Sequence, residues 1–198
     1  MPFELLMPCA GRRPRRAPVL AAAALGAILP SLGHAENFLT NPAFNVLGPS
    51  GISTSFTGGG LGGPSAADKW LVWNNSTGTT VTKLVDSTRV SGRRMLYVAT
   101  DGTRNGLFQN WCCAVLPPKV YGCAWIYVLS GRVGIGTGFG GGTVHDAVLT
   151  KTGSWEVLNV GNGSSPAIEM IVYSYLGPAR FYIESARVAR SHDQCRPE

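Results

Sequence analysis

The chain has little of what catalysis requires. Only 14% of its 198 residues are charged, with 11 acidic residues and three histidines. A polysaccharide hydrolase needs two carboxylates about 5–10 Å apart across a cleft. The acidic residues here are scattered and stand beside turn residues: Asp68, Asp86, Asp101, Asp146 and Glu156. The histidines after residue 35 are His145 and His192, and the sequence has no Gly-x-Ser-x-Gly nucleophile elbow with which either could form a catalytic triad. We therefore expect no catalytic residues, and a small polysaccharide-active enzyme is only a third hypothesis.

Long apolar runs are confined to the N-terminus. Residues 17–32 form an Ala- and Leu-rich stretch, residues 33–35 (Gly-His-Ala) suit signal peptidase, and four arginines precede both: Arg12, Arg13, Arg15 and Arg16. We expect residues 1–35 to be a signal peptide cleaved before Glu36, by the general or the twin-arginine route. A membrane anchor is the alternative. The remaining chain would be secreted or periplasmic.

The charge that remains after residue 35 argues against nucleic acid as a partner. Four of the 17 basic residues and one of the 11 acidic residues lie in residues 1–35, which leaves 13 basic and 10 acidic residues. The only adjacent basic pair in this part is Arg93-Arg94, which is too little for a nucleic-acid footprint. No other apolar run reaches the roughly 20 residues of a membrane span. We expect no membrane insertion after signal cleavage.

Cysteines are few, and the part of the chain after the predicted signal peptide has an even number of them. Cys9 lies in the signal, and four cysteines remain: Cys112, Cys113, Cys123 and Cys195. An even number in an exported chain favours disulfides. Because neighbouring cysteines are poorly placed to bond to each other, we predict that one of Cys112 and Cys113 bonds to Cys123 and the other to Cys195. A zinc site is the competing interpretation, but no second close pair is present. We expect no metal and no cofactor.

The sequence is rich in glycine, Thr and Val and shows no sustained helical periodicity, which is an all-β pattern. Residues 48–64 read as a long loop with a short strand at 52–56. Residues 36–189 predict a two-sheet antiparallel jelly-roll sandwich, and residues 190–198 a polar tail. The other predicted strands are 38–39, 70–73, 79–84, 94–100, 105–115, 121–129, 143–149, 155–160, 168–175 and 181–188.

Residues 121–129 (Tyr-Gly-Cys-Ala-Trp-Ile-Tyr-Val-Leu) predict a central strand that is apolar on both faces. A strand with one wet face would alternate apolar and polar residues. Our second hypothesis is therefore a structural or adhesion module in which the face bearing Ala124, Ile126 and Val128 packs either on another subunit, as in a homo-oligomer, or on a loop of the chain itself. Residues 136–141 match G-x-G-x-x-G, but no helix pattern follows, so we interpret them as a glycine-rich strand and loop.

Several motifs occur in a familiar order. The sequence reads Asn-Phe-Leu-Thr-Asn-Pro-Ala-Phe-Asn at 37–45, Leu-Phe-Gln at 107–109, Gly-Ser-Trp at 153–155 and Phe-Tyr-Ile-Glu-Ser-Ala at 181–186. This order resembles the galactose-binding-like, jelly-roll carbohydrate-binding modules of families four, nine and twenty-two. The resemblance implies glycan binding without catalysis. Such modules often hold a structural calcium, which needs several hard oxygen ligands, and Glu184 is the only carboxylate at the matching places.

The sequence has more side chains suited to binding a sugar than to catalysis. Sugars present an apolar ring face, which aromatic side chains cover, and a hydroxyl rim, which amides and charged groups serve. We expect Trp70, Trp125 and Trp155 to pack in the core. The predicted ligand-binding residues are Trp73, Gln109, Trp111, Tyr173 and Tyr175. Our first hypothesis is an exported, non-catalytic β-sandwich that binds a polysaccharide or another glycan.

Overall fold

The protein is built from β-strands throughout the part of the chain that the structure describes. This structure is a computed structural model, and it describes residues 37–75, 77–110, 119–138, 145–149, 151–161 and 169–197. The strands in these ranges are β1 Ser53–Thr57, β2 Gly60–Pro64, β3 Leu71–Asn74, β4 Thr79–Asp86, β5 Arg94–Thr100, β6 Asn105–Asn110, β7 Tyr121–Ser130, β8 Val133–Gly138, β9 His145–Leu149, β10 Trp155–Gly161, β11 Glu169–Ser174 and β12 Ala179–Ala189.

The strands form two six-stranded antiparallel sheets. The first sheet has the order β1-β4-β5-β12-β7-β10, and the second has the order β2-β3-β6-β11-β8-β9. Apolar side chains from both sheets meet in one core, as two facing sheets require. Its members include Leu96, Val98, Leu107, Val172 and Phe181. The predicted all-β, two-sheet antiparallel jelly roll is confirmed.

The predicted central strand is β7, which lies between β12 and β10. Ala124, Ile126 and Val128 are fully buried in the core between the sheets. The predicted apolar interface on this face is therefore wrong, because the chain's own second sheet covers it. The aromatic residues of β7 lie on the opposite, outer face of the first sheet.

Two strand predictions differ from the structure. Residues 38–39 are not a strand, because the Asn37 side chain takes over part of the pairing with β12: its Oδ1 accepts from the N–H of Val188 at 3.1 Å. Residues 60–64, predicted as loop, form β2 because they pair with β3. Pairing in the sheet here outweighs the weak strand propensity of glycine.

Trp70 lies in the core, as predicted. Its ring centroid is 5.1 Å from that of Phe44, and both side chains are fully buried. The indole N–H donates to the carbonyl of Asn41 at 3.2 Å. A buried Trp requires such a partner for its one donor, and here the partner fixes the N-terminal segment against the sandwich.

The C-terminal segment, residues 190–197, lies on the outer face of β7 and is held by a disulfide. Cys195 is bonded to Cys123, with the two Cα atoms 5.8 Å apart. The predicted pairing of each of these cysteines with Cys112 or Cys113 is therefore wrong. Because β12 pairs with β7, the chain that leaves β12 after Ala189 passes over the outward side chain of Cys123.

Other predictions fall outside the described residues: the signal peptide at 1–35, Trp111, and the bonding of Cys112 and Cys113. Within the described ranges, no helix has the length and apolarity of a membrane span. In the same ranges no three His, Cys, Asp or Glu side chains are grouped so that they could hold a metal ion.

Candidate functional site

Four aromatic side chains form a row across the outer face of the first sheet. In register, Tyr97 of β5 lies beside Tyr182 of β12, and Tyr182 lies beside Tyr127 of β7. Tyr127 in turn lies beside Trp155 of β10. We call these four residues the aromatic row. All four are half-buried, so part of each ring surface is open to solvent.

Neighbouring rings in the aromatic row are close enough to interact. The centroids of Tyr97 and Tyr182 are 5.5 Å apart, those of Tyr182 and Tyr127 are 6.3 Å apart, and those of Tyr127 and Trp155 are 5.5 Å apart. The interplanar angles lie between 53° and 61°. Tilted pairs at these distances are favourable. The four rings therefore form one continuous aromatic surface.

The alternation of strand residues fixes the aromatic row on the outside. Successive residues of a strand point to opposite faces of its sheet. The sequence neighbours of the three tyrosines are aliphatic or Phe and are buried in the core: Leu96, Val98, Phe181, Ile183, Ile126 and Val128. Tyr tolerates the half-exposed position because its hydroxyl can face water.

Trp125 and Trp155 are not in the core, which corrects the prediction for both. Both are half-buried on the outer face of the first sheet. Trp125 lies two residues before Tyr127 on β7 and therefore shares its face. Trp155 lies on β10 at the edge of the sheet, in register with Tyr127. Their positions follow from strand pairing, which the local sequence does not reveal.

Basic side chains lie at the β5 end of the aromatic row. Lys83 of β4 is in register with Tyr97, so it continues the line of the row by one strand. Arg180 lies two residues before Tyr182 on the same face of β12. These four residues line a shallow, open groove together with Val85, Leu129 and Ser130. The groove thus combines aromatic and aliphatic surface with a hydroxyl group and two cations.

Trp125 lies beside the row and is partly covered by other parts of the chain. The guanidinium carbon of Arg89 is 4.6 Å from the centroid of the Trp125 ring, which is a favourable cation–π distance. The Trp125 indole N–H donates to the carbonyl of Pro197 at 3.0 Å. Both contacts cover part of Trp125, which stays half-buried and lines a second groove beside the row together with the C-terminal segment.

A buried ion pair holds Arg89 in that position. The side chain of Glu184 is fully buried at a bulge in β12 and accepts hydrogen bonds from Arg89 Nε and Ser87 Oγ. The connection between β4 and β5 is thereby joined to β12. A guanidinium therefore neutralises Glu184, the one carboxylate in residues 181–186.

Glu156 is also engaged by neighbouring side chains. Its Oε1 accepts from Lys151 Nζ at 2.6 Å and from Ser154 Oγ at 3.0 Å. The hydrogen bonds from Lys151 and Ser154, together with the charge of Lys151, hold the pKa of Glu156 below its usual value. Glu156 is therefore a fixed anion bound to a surface cation, which is not the environment of a general acid.

Three of the predicted ligand-binding residues come together, but on the second sheet. Trp73, Tyr173 and Tyr175 cluster with Phe108 and Ile171 on its outer face. Tyr173 is only 1% exposed. Its ring lies over a glycine of β8, since a Cβ on Gly134 would be 2.8 Å from Tyr173 Cζ. The central ring of this second aromatic surface is therefore closed to a ligand, whereas Trp73 and Tyr175 beside it are half-exposed.

Gln109 lies apart from that cluster and is buried. Its Oε1 accepts from the N–H of Thr40 at 2.6 Å, and its Nε2 donates to the Thr40 carbonyl at 2.8 Å. Nε2 also lies 3.4 Å from the Lys69 carbonyl. The carboxamide is thus used to hold the N-terminal segment on β6.

We expect Gln109→Ala to lower the free energy of unfolding by about 1–3 kcal/mol, because it leaves the polar groups of Thr40 without their partner. Glycan binding by the folded variant should not change. Urea unfolding followed by tryptophan fluorescence measures the first effect, and titration well below the midpoint measures the second. A variant of normal stability that loses binding would instead give Gln109 the ligand contact predicted from the sequence.

The predicted ligand-binding residues do not include the aromatic row. One local signal was available: Tyr121, Trp125 and Tyr127 share one face of β7, whereas aliphatic residues share the other. Aromatic side chains with a polar atom suit a half-exposed face better than aliphatic ones do. The remaining members of the row are brought to β7 only by the strand order β5-β12-β7-β10.

No protein-family model matches the chain, and no curated protein matches it. Among solved structures it is similar to the CBM22-1 xylan-binding domain of Paenibacillus barcinonensis Xyn10C, at 12% identity and a TM-score of 0.48, over 78% of this chain and 94% of that one. It is also similar to TmCBM61 in complex with β-1,4-galactotriose, at 14% identity and a TM-score of 0.40, over 79% of this chain and 100% of that one. A third similar structure is a mutant of CBM29-2 complexed with cellulohexaose, at 8% identity and a TM-score of 0.45, over 74% of this chain and 99% of that one. Likenesses at this level assign no ligand, because one fold hosts many functions.

Proposed function

We propose that this chain is an exported, non-catalytic module that binds carbohydrate on the aromatic row. The observation that carries the proposal is the line of four half-exposed rings, which crosses four adjacent strands without a break. Half-exposed aromatic rings that contact one another in a line cover apolar surface on a partner. The partner must therefore be extended and must present flat apolar faces repeatedly.

A polysaccharide has this chemistry. Each sugar ring has an apolar face of C–H groups and a rim of hydroxyls, and these features recur along the polymer. The aromatic rings would cover the faces, and donors beside the row, such as Ser130 and Arg180, would serve the rim. Strands lie about 4.8 Å apart, so the row spans about 14 Å from β5 to β10. The polymer would accordingly run across the strands and not along them.

The non-catalytic and exported parts of the proposal have separate support. Glu156 and Glu184, two carboxylates on strands of the first sheet, are each engaged in an ion pair. Neither is left to act as acid or base. Export is supported by the Cys123–Cys195 disulfide, since such bonds persist in oxidising compartments.

The test is Tyr182→Ala, which removes the ring that contacts both Tyr97 and Tyr127. We expect at least a tenfold loss of affinity, which corresponds to about 1.4 kcal/mol. Affinity gel electrophoresis against glucans, xylans and galactans identifies a bound polymer. Isothermal titration with that polymer then measures the affinity of each variant.

The matched control is Tyr175→Ala on the second sheet. Tyr175 is also half-buried, and its ring centroid lies 6.4 Å from that of Tyr173. We expect unchanged binding. A loss with Tyr175→Ala and none with Tyr182→Ala would move the site to the second aromatic surface, where the sequence predicts it. No binding to any glycan by the native chain would refute the proposed function.

A further inference from the structure

We infer that the glycan bound on the aromatic row is anionic, carrying carboxylate or sulfate groups that Lys83 and Arg180 recognise. This inference rests on the proposed function and goes beyond it, because the rings alone would accept a neutral polymer equally well. The observations that carry it are the composition of the groove at the β5 end of the row and the absence of an ion-pair partner for its cations among the described residues.

The groove is lined by cations and by no anion. Its seven lining residues are Lys83, Val85, Tyr97, Leu129, Ser130, Arg180 and Tyr182. Both cationic side chains are exposed, so they can turn toward a ligand. A surface that mixes both signs of charge would bind a neutral polymer without bias. A lining with positive charge only attracts a partner of negative charge.

The two cations flank the rings. Lys83 is in register with Tyr97, at the end of the line that the row defines. Arg180 lies two residues before Tyr182 on β12, opposite Ser130 of β7. A sugar that stacks on Tyr97 or Tyr182 would therefore place its substituents within reach of an ammonium and a guanidinium group. Arg suits carboxylate and sulfate especially, because its planar fork donates two parallel hydrogen bonds.

Two of the other cations among the described residues have a fixed anionic partner. Arg89 is paired with Glu184, and Lys151 is paired with Glu156. Neither Lys83 nor Arg180 forms an ion pair within the described part of the chain. Their charge is therefore available to a ligand, whereas the charges of Arg89 and Lys151 are already compensated.

The experiment compares polymers that share a backbone and differ in charge. Polygalacturonate is paired with its methyl-esterified form, and dextran sulfate is paired with dextran. Titration at low salt should show about tenfold tighter binding of one charged polymer over its neutral partner, since each exposed charge contact contributes a factor of up to about five. The carboxylate arm and the sulfate arm identify which anion is preferred. The preference should disappear near 1 M salt, where the Debye length is about 3 Å.

Variants separate the contribution of charge from that of stacking. In K83Q/R180Q the charged polymer should bind no better than the neutral one, so the ratio of the two affinities should fall to about one. Lys151→Gln is the matched control, because it also removes a surface cation but leaves the groove intact, and it should keep the preference. Tyr182→Ala should weaken binding of both polymers.

The outcomes distinguish the two proposals. Equal affinity for charged and neutral polymers overturns the anionic preference and leaves carbohydrate binding on the row in place. A preference that survives in K83Q/R180Q also overturns the inference, because the selecting cations would then lie elsewhere. Failure of all four polymers and of the neutral glycan panel overturns the proposed function itself.

Discussion

Removal of the disulfide between Cys123 and Cys195 is expected to lower the free energy of unfolding by about 4 kcal/mol. The two cysteines are 72 residues apart in sequence, and the loop-entropy relation for a closed loop of that length gives this value. For a domain of this size each kcal/mol corresponds to about 2–4 °C, so the melting temperature should fall by about 10 °C. Thermal unfolding of the oxidised chain and of Cys195→Ala measures the difference.

The same measurement tests which cysteines are paired. If Cys123 and Cys195 bond to each other, then Cys123→Ala, Cys195→Ala and the double variant should all melt at nearly the same temperature, because each lacks the same bond. If each cysteine were bonded to one of the vicinal pair, the double variant would lose two bonds and melt well below either single variant. Additive losses would therefore contradict the pairing seen in the structure.

The fold could be predicted from the sequence because it depends on local patterns. Short apolar runs between turn residues define most strands, and an all-β chain of this length has few architectures that bury its core. The exceptions have tertiary causes. Residues 60–64 become β2 only because β3 is available to pair with them, and residues 38–39 remain outside the sheet because Asn37 satisfies part of the neighbouring backbone.

The candidate site could be predicted much less well. The aromatic content of the chain indicates a binding surface, but it does not show which rings share a face. Tyr97 and Tyr182 are 85 positions apart in sequence and are neighbours only because β5 pairs with β12. Because both faces of β7 are apolar, the sequence also does not show which face packs against the second sheet. Its aliphatic face, and not its aromatic face, turned out to complete the core.

The buried ion pair is the other feature that the sequence does not reveal. Arg89 lies in the connection after β4 and Glu184 lies at a bulge in β12, 95 residues later. A bulge places two successive residues against one on the neighbouring strand. This irregularity turns Glu184 toward the β4–β5 connection, and nothing in the pattern of residues 181–186 predicts it.

We expect Arg89→Met to lower the free energy of unfolding by about 3–5 kcal/mol, because it leaves Glu184 as an uncompensated charge in a buried site. The Glu184 side chain has no solvent exposure, and that of Arg89 is 23% exposed. Met keeps an apolar side chain beside the ring of Trp125, whereas the charge, the hydrogen bond to Glu184 and the cation–π contact are removed together. Chemical denaturation measures the effect. In the double variant R89M/E184Q much of the stability should return, since no buried charge is left without a partner.

The exposed pair of Lys151 and Glu156 serves as the control. Its side chains are 66% and 34% exposed, and Lys151→Met should leave the denaturation midpoint almost unchanged. Each pair joins a cation to a carboxylate, but only in the Arg89 pair is the carboxylate shielded from solvent. If Arg89→Met were as mild as Lys151→Met, the stability of the fold would not depend on Arg89 compensating the buried Glu184, which would contradict the prediction.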